Sequence, residues 1–383
     1  MTSVVVCGIA GYFPLAGVAL HYLQYCLGFR DLGVEVSYLE DNQAWPLHPD
    51  TRDPDGTAAY TVAWLTELFG RFELPWAYRD PSGDWHGATG AEVHARCARA
   101  DLLLNVSGGS TLGEHHRRAG LVAYVDTDPA FTQVAAEQHK GVRDWIARHD
   151  LHFTFAELYG RPECRLPSGG FRWITTRQPV WLPFWNHTRD RPGTDYTTVM
   201  HWAPYGVAHW DGEEWGQKNA EFPLVLDLPG RTGASFEVGL DASVDGNAPV
   251  EEIRQAGWRV VDPRVPTRTI WSFRDYIAAS RGEVTVAKQG YVRSRSGWFS
   301  ERGANYLAAG RPVIAQDTGW GEHDLLPTGQ GLFPFSTTEE AAAAVEAVNA
   351  DADKHAQAAR SLAAREFDAS KVLARMLSDA GVD

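Results

Sequence analysis

The sequence predicts an α/β protein in which two halves, each alternating strand and helix, build separate sheets. Three features carry this. The chain opens with a short β-branched run, Val4-Val5-Val6-Cys7-Gly8-Ile9-Ala10-Gly11, ending in glycines as a buried parallel strand does where it enters its loop. The alternation starts afresh at Tyr196-Thr197-Thr198-Val199-Met200, after a polar stretch over residues 186–194 that carries Pro and Gly. A length of 383 residues also exceeds what one compact core organises, so two domains of fewer than about 200 residues are expected.

In the first half the loop Tyr12-Phe13-Pro14-Leu15-Ala16-Gly17 leads into a helix over 18–31, closed by Gly33, and 34–40 is the next strand, which completes a βαβ unit. Gly8, Gly11 and Gly17 are spaced three and six apart and do not match G-x-G-x-x-G. They are read instead as letting backbone approach a ligand at the sheet's carboxyl edge. Residues 41–57 and 74–90 read as loops, with helices over 58–69 and 91–100. A strand over 101–106 exits in Ser107-Gly108-Gly109-Ser110-Thr111, and one over 121–125 exits in Asp126-Thr127-Asp128-Pro129. A helix over 134–149, a strand over 152–155 and a strand-like run over 172–183 follow.

In the second half a loop rich in Trp, Gly and acidic residues ends at Lys218-Asn219-Ala220-Glu221-Phe222. Strands are expected over 235–241 and 258–261, and helices over 249–256 and 270–280, with Arg264 and Arg268 in the loop 262–269. A last strand over 331–335 precedes an Ala-rich helix over 339–349, capped by Ser336-Thr337-Thr338, and helical segments over 353–377.

Hydrophobic residues at 44% and charged ones at 22% describe an ordered globular chain rather than a disordered one. The net charge of −14 argues against a general nucleic-acid binder, which would carry a basic face. Cys7, Cys26, Cys97 and Cys164 are scattered without a C-x-x-C pair and suit free thiols in a reducing compartment. Thr2-Ser3 runs straight into a strand with no basic leader, and no apolar run approaches the ~18 residues of a membrane span. A cytoplasmic, soluble protein is expected.

The chemistry concentrates in residues 286–321, VAKQGYVRSRSGWFSERGANYLAAGRPVIAQDTGWG. A loop with Lys288, Arg293 and Arg295 leads into Ser296-Gly297-Trp298-Phe299-Ser300, the expected start of a helix over 301–309 that stops at Gly310. A strand over 312–315 then exits in Gln316-Asp317-Thr318-Gly319. Cationic loop, small-residue helix start, strand and polar loop together make a phosphate-and-sugar pocket in an α/β protein. Unpaired N–H groups of the 297–300 turn suit an anion, and Lys288, Arg293, Arg295 and Arg302 add charge. The plainer reading is a solvated face paired with Glu283 and Glu301. Asp317 suits sugar hydroxyls and suits an ordinary β-turn equally.

Asp126 and Asp128 stand two apart at a strand end and are candidates for a base on an acceptor hydroxyl; Asp128, before Pro129, also suits turn initiation. His115 and His116 are adjacent rather than i,i+4, so no metal pair on one helical face is read. His21 reads as a core or interface histidine. G-x-S-x-G, a Walker loop and H-E-x-x-H are all missing from the sequence.

The stretch SRSGWFSERGANYLAAGRPVIAQDTGWGEHDLLPTGQGL resembles the carboxyl-domain signature of actinobacterial-type GT-B glycosyltransferases. GYFPLAGVALHYLQYCLGFRDLGVEVSYLED and YVDTDPAFTQ, both from the first half, are similar to the same group. The resemblance implies two Rossmann-like domains facing each other across a cleft, here residues 1–190 for the acceptor and 191–355 for the nucleotide-sugar donor. Residues 356–383 would be helices packing back on the first domain.

It further implies transfer of a hexose-type sugar from a nucleotide-diphosphate sugar to a hydroxyl of a small-molecule, natural-product or nucleoside-like acceptor. No tightly bound cofactor or metal would be needed. Lys218 and Arg302 would contact phosphate, and Gly297, Trp298, Phe299 and Ser300 would form the diphosphate turn with Ser296 at its start. Gly17 of the first loop and Lys288 and Arg293 would join the donor site. Asp317, Thr318 and Gly319 would meet the sugar, and the 262–268 loop would line the base. Asp126 falls where retaining members keep a sugar-contacting histidine, which makes it or Asp128 the catalytic candidate. Retaining members also carry two Glu eight apart, and the matching positions here are Gly297 and Asn305. Two other readings stay open: a GT-B-like protein that binds a nucleotide sugar without transferring it, and a Rossmann-type oxidoreductase or epimerase, whose dinucleotide fingerprint this chain lacks.

Overall fold

A computed structural model describes residues 1–51, 53–186, 193–240 and 247–382. The first half builds a sheet from β1 (Ser3–Cys7), β2 (Glu35–Glu40), β3 (Trp76–Arg79), β4 (Trp85–His86), β5 (Leu102–Val106), β6 (Leu121–Asp126), β7 (Leu151–Thr154) and β8 (Ile174–Thr175). Their spatial order is β4-β3-β2-β1-β5-β6-β7-β8, parallel throughout except for β4. The second half has β9 (Asp195–Met200), a small hairpin of β10 (Ala208–Trp210) and β11 (Glu213–Trp215), then β12 (Ser235–Leu240), β13 (Trp258–Val261), β14 (Gly282–Thr285), β15 (Val313–Gln316) and β16 (Leu332–Phe335). Without the hairpin these form a parallel sheet ordered β13-β12-β9-β14-β15-β16. Each sheet reverses its order once, between β1 and β5 and between β9 and β14, and ligands of such sheets bind at the carboxyl ends beside that reversal.

Several expectations are corrected. Residues 74–90 are not loop but hold β3 and β4, whose four- and two-residue lengths leave little periodicity to read. The expected helix 134–149 is two, Phe131–Gln138 and Lys140–Ile146, broken where His139 takes an extended backbone. The run 172–183 pairs at β8 and, through Val180, in a single bridge to Asp368 before a 3-10 turn, Leu182–Trp185. The cationic loop after β14 contains the helix Gln289–Ser294. The polar boundary at 186–194 falls mostly on residues 187–192, outside the described residues.

The first helix, Ala16–Asp31, is buried almost all round. It packs on β1 and β2, on the helix Ile270–Ala279 of the second half, and on the last helix, Ala369–Ala380. Gly28 makes the last contact possible, because a Cβ there would lie 2.6 Å from Leu373 Cδ1 and 2.7 Å from Ala369 Cβ. The chain's end is also sewn to the first half by backbone: Val180 N–H donates to Phe367 O (2.7 Å) and Ala369 N–H to Val180 O (2.9 Å). Among the described residues no helix is long and apolar enough to cross a membrane. The four cysteines are unpaired; Cys7, Cys26 and Cys97 are buried and Cys164 half-buried.

Candidate functional site

An open pocket of about 250 Å³ lies at the carboxyl edge of the second sheet, lined by Lys218, Thr285, Val286, Trp298, Ser300 and Gln316 together with Ala287, Phe299, Ala315 and Trp320. It sits at the β9–β14 reversal, where β9 feeds the loop ending at Lys218 and β14 ends at Thr285. Beneath it, Arg302 donates to the buried carboxylate of Glu283, to Val199 O, and to Thr285 Oγ1 at 2.8 Å. Lys218 is half-buried beside them. Its pKa is held well below the usual lysine range, first by burial and then by the Arg302 guanidinium, with Lys288 reinforcing and Glu283 opposing. Among the described residues no acceptor is bonded to the Lys218 ammonium. A cation without an anion, next to a cation already paired, is the feature of this pocket that asks for a ligand.

The 296–300 segment is an extended loop, and the helix Glu301–Ala308 begins after it with Ser300 as its cap on Gly303 N–H. Gly297 has φ +71°, and its N–H donates to Thr318 O (2.9 Å); Trp298 N–H donates to the buried Ser296 Oγ (3.3 Å). Thr318 Oγ1 returns a bond to Trp298 O (2.7 Å). The two loops thus stitch each other, and the N–H groups of Gly297 and Trp298, expected to face an anion, are engaged within the protein. Asp317 turns on its own loop, accepting from the amides of Gly319 (2.8 Å), Gly321 (3.0 Å) and Glu322 (3.0 Å), as in the β-turn reading.

Other predicted residues are dispersed. Arg293 reaches Glu214 O and Arg295 pairs with Glu322. Gly17 is in the first turn of Ala16–Asp31, with the Phe273 ring 3.9 Å from where its Cβ would be. Arg264 chelates Asp262, and Arg268 pairs with Asp50 of the first half at 2.7 Å. Of the predicted set, Lys218, Trp298, Phe299 and Ser300 line the pocket, and Arg302 touches its lining.

The two aspartates part company. Asp126 is fully buried and accepts from Gln133 Nε2 (2.7 Å), Thr154 Oγ1 (2.8 Å) and the Asp128 amide (3.2 Å). Burial pushes its pKa up to about 6 against those hydrogen bonds. It anchors the end of β6 to the helix Phe131–Gln138. Asp128 faces the second half instead, held by Lys288 Nζ at 2.9 and 3.0 Å and by the Tyr205 and Tyr291 hydroxyls. Trp298 Nε1 donates to the neighbouring Thr127 O (3.3 Å). His21, read as a core or interface residue, stands with Nδ1 2.9 Å from Glu301 of the second half, though without hydrogen-bond geometry.

No known family's profile matches the chain, and no curated protein matches it in sequence. Solved structures match over its whole length. HepE of Anabaena in complex with UDP and glucose aligns with a TM-score of 0.59 at 12% identity, over 99% of this chain and 100% of that one. An alpha-glucosyltransferase in complex with UDP and a 13-mer DNA aligns at 0.58 and 12%, over 99% of each chain. A sucrose-phosphate synthase from Thermosynechococcus elongatus aligns at 0.53 and 15%, over 99% of this chain and 100% of that one.

The fold is GT-B.

In this GT-B chain several site residues escaped sequence reasoning. Tyr205 lies in a loop without motif, while Tyr291 and Trp320 fall inside residues 286–321 but carry no charge or backbone signal to single them out. His115 and His116, set aside because they are adjacent, converge with Asp41, with ligand-type atoms within 4.8 Å of one another. That trio does not suit a divalent metal well. Gly113 N–H donates to His116 Nδ1 (3.0 Å), which in a neutral ring puts the proton on Nε2, and Arg79 NH1 lies 3.8 Å from the same Asp41 carboxylate.

Proposed function

We propose that this protein is a glycosyltransferase that moves a sugar from a UDP-sugar to an acceptor hydroxyl. The single observation that carries the reading is Lys218, an ammonium with no hydrogen-bonded acceptor among the described residues, in a pocket at the carboxyl edge of the second sheet. Support comes from the GT-B fold and from neighbours crystallised with UDP, UDP and glucose, or UDP-glucose. The diphosphate would bind against Lys218, with the helix Glu301–Ala308 directing its first-turn amides and positive dipole end toward it. The C–O bond to the diphosphate breaks through an oxocarbenium-like state, and Lys218 stabilises the leaving charge. Asp128, the half-buried member of the aspartate pair, is the proposed base on the acceptor hydroxyl.

The acceptor we infer is a small molecule, because a net charge of −14 repels a polyanion such as the DNA bound by one structural neighbour. Assignment to the actinobacterial-type group is part of the same proposal and rests on the motifs of residues 294–332, while the division near residue 190 rests on the polar stretch over 186–194.

Titration of UDP and UDP-glucose by calorimetry tests the reading. Lys218→Met should weaken UDP at least tenfold, as expected from a lost charged hydrogen bond of about 1.5–3 kcal/mol. Equal affinity of wild type and Lys218→Met would remove the assignment. UDP-sugar binding without hydrolysis or transfer across an acceptor panel would leave a nucleotide-sugar sensor.

A further inference from the structure

Asp128, in the first half, is gripped by three side chains of the second. Its carboxylate receives the Lys288 ammonium on both oxygens and the hydroxyls of Tyr205 and Tyr291. Lys288 is in turn enclosed by aromatic faces, 4.4 Å from the Tyr205 ring centroid, 5.1 Å from Phe131 and 5.4 Å from Tyr291. One ammonium and two phenols converging on one point, all from the second half, form a three-donor receptor for a tetrahedral or planar anion. The receptor adjoins the pocket that holds Lys218: Ala287, the residue before Lys288, lines that pocket, as does Trp298, whose ring centroid lies 4.3 Å from that of Tyr291. A carboxylate borrowed from the facing half fills it.

We infer that Lys288, Tyr205 and Tyr291 form a second phosphate subsite of the donor pocket, and that in the unliganded protein Asp128 occupies it as an internal stand-in for phosphate. The inference rests on the donor reading above and specifies how that site works. A UDP-sugar whose diphosphate lies against Lys218 displaces Asp128 from Lys288 with its second phosphate. The displaced carboxylate faces the first half, where the acceptor would lie, with its ammonium partner gone. No bond is made or broken in this exchange; one anion replaces another on the same three donors. The consequence is order: donor binding frees the base, so an acceptor arriving first meets an aspartate that is already ion-paired. An internal competitor also lowers apparent donor affinity by the fraction of molecules in which it is seated.

Calorimetric UDP titrations of wild type, Asp128→Asn, Lys288→Met and the double variant test this, with uridine as the probe that carries no phosphate. Asp128→Asn should tighten UDP about three- to tenfold, by the internal-competition argument, and leave uridine unchanged. Lys288→Met should weaken UDP, and Asp128→Asn should add nothing in the Lys288→Met background. Asp128→Ser, which also removes the charge, serves if the Asn variant is poorly folded by its melting curve. UDP affinity that is unchanged or weaker in both charge-removed variants overturns the subsite while leaving the donor reading intact. Failure of wild type to bind UDP at all removes the donor reading and this inference with it.

Discussion

The amide of Leu158, in the first half, donates to the carbonyl of Ser296, in the second, across 3.0 Å. The two halves touch backbone to backbone at this point, beside the loop that leads to the pocket at the second sheet's carboxyl edge. The next residue, Gly297, is left no room: a Cβ there would lie 2.8 Å from Leu158 Cγ and 2.9 Å from Leu158 N, on a backbone with φ +71°.

Gly297→Ala therefore combines left-handed strain with overpacking. A loss of about 2–5 kcal/mol is expected, from ~1–2 for the conformation and ~1–3 for the clash. Urea unfolding checks it, and a midpoint equal to wild type would contradict the contact.

Arg302 and Lys218 should separate stability from binding. Arg302→Met leaves Glu283 buried without its guanidinium and should cost about 3–5 kcal/mol, as for a broken buried pair. Lys218→Met removes a desolvated ammonium with no partner, so its melting temperature should hold or rise while UDP affinity falls. Chemical denaturation of the two variants side by side distinguishes them; equal destabilisation would refute the division.

Asp126 should imprint a pH dependence on stability. Its folded pKa is raised from 3.8 to about 6, so between those values the folded state binds more protons than the unfolded one. The contribution is complete below the lower value and is lost as pH rises through about 6. Asp126→Asn should flatten the fall in stability over that window, measured as unfolding free energy from pH 4 to pH 7. An unaltered slope would show that this carboxylate does not titrate there.

Arg177 binds Glu157 at 2.7 Å, Glu366 just before the last helix, and Leu325 O at 2.8 Å. Arg177→Met should loosen the returning chain end and leave Glu157, already pushed up to about 7 by burial, to take a proton. Faster amide exchange confined to Ala369–Ala380 is the expected signature. Uniform protection across that helix would count against the tie.

Local signals explain what could be read without coordinates. The first strand showed in its β-branched run, and the helix Thr338–Ala350 in its cap, where Thr337 and Glu340 form a capping box. Lys218 is reached from the resemblance alone and the 298–300 segment from the motif around it, and both line the pocket. The hairpin β10–β11 and the strands β3, β4 and β14 are short segments that carry no aliphatic run of the kind Val-Ile-Ala gives β15, so nothing marks them as strands.

The sequence by itself determined the α/β class, the restart at β9 and the order of cationic segment, helix and strand, because each depends on neighbours a few positions away. Only the tertiary structure decided what each charge faces. Arg302 meets Glu283 and Arg293 meets Glu214 O. Asp126 turns into the core and Asp128 out to Lys288 across the halves, although the two residues are separated by a single threonine. Pairing energies depend on distance and burial, and partners 160 residues apart along the chain, such as Asp128 and Lys288, come within reach only once both sheets have formed.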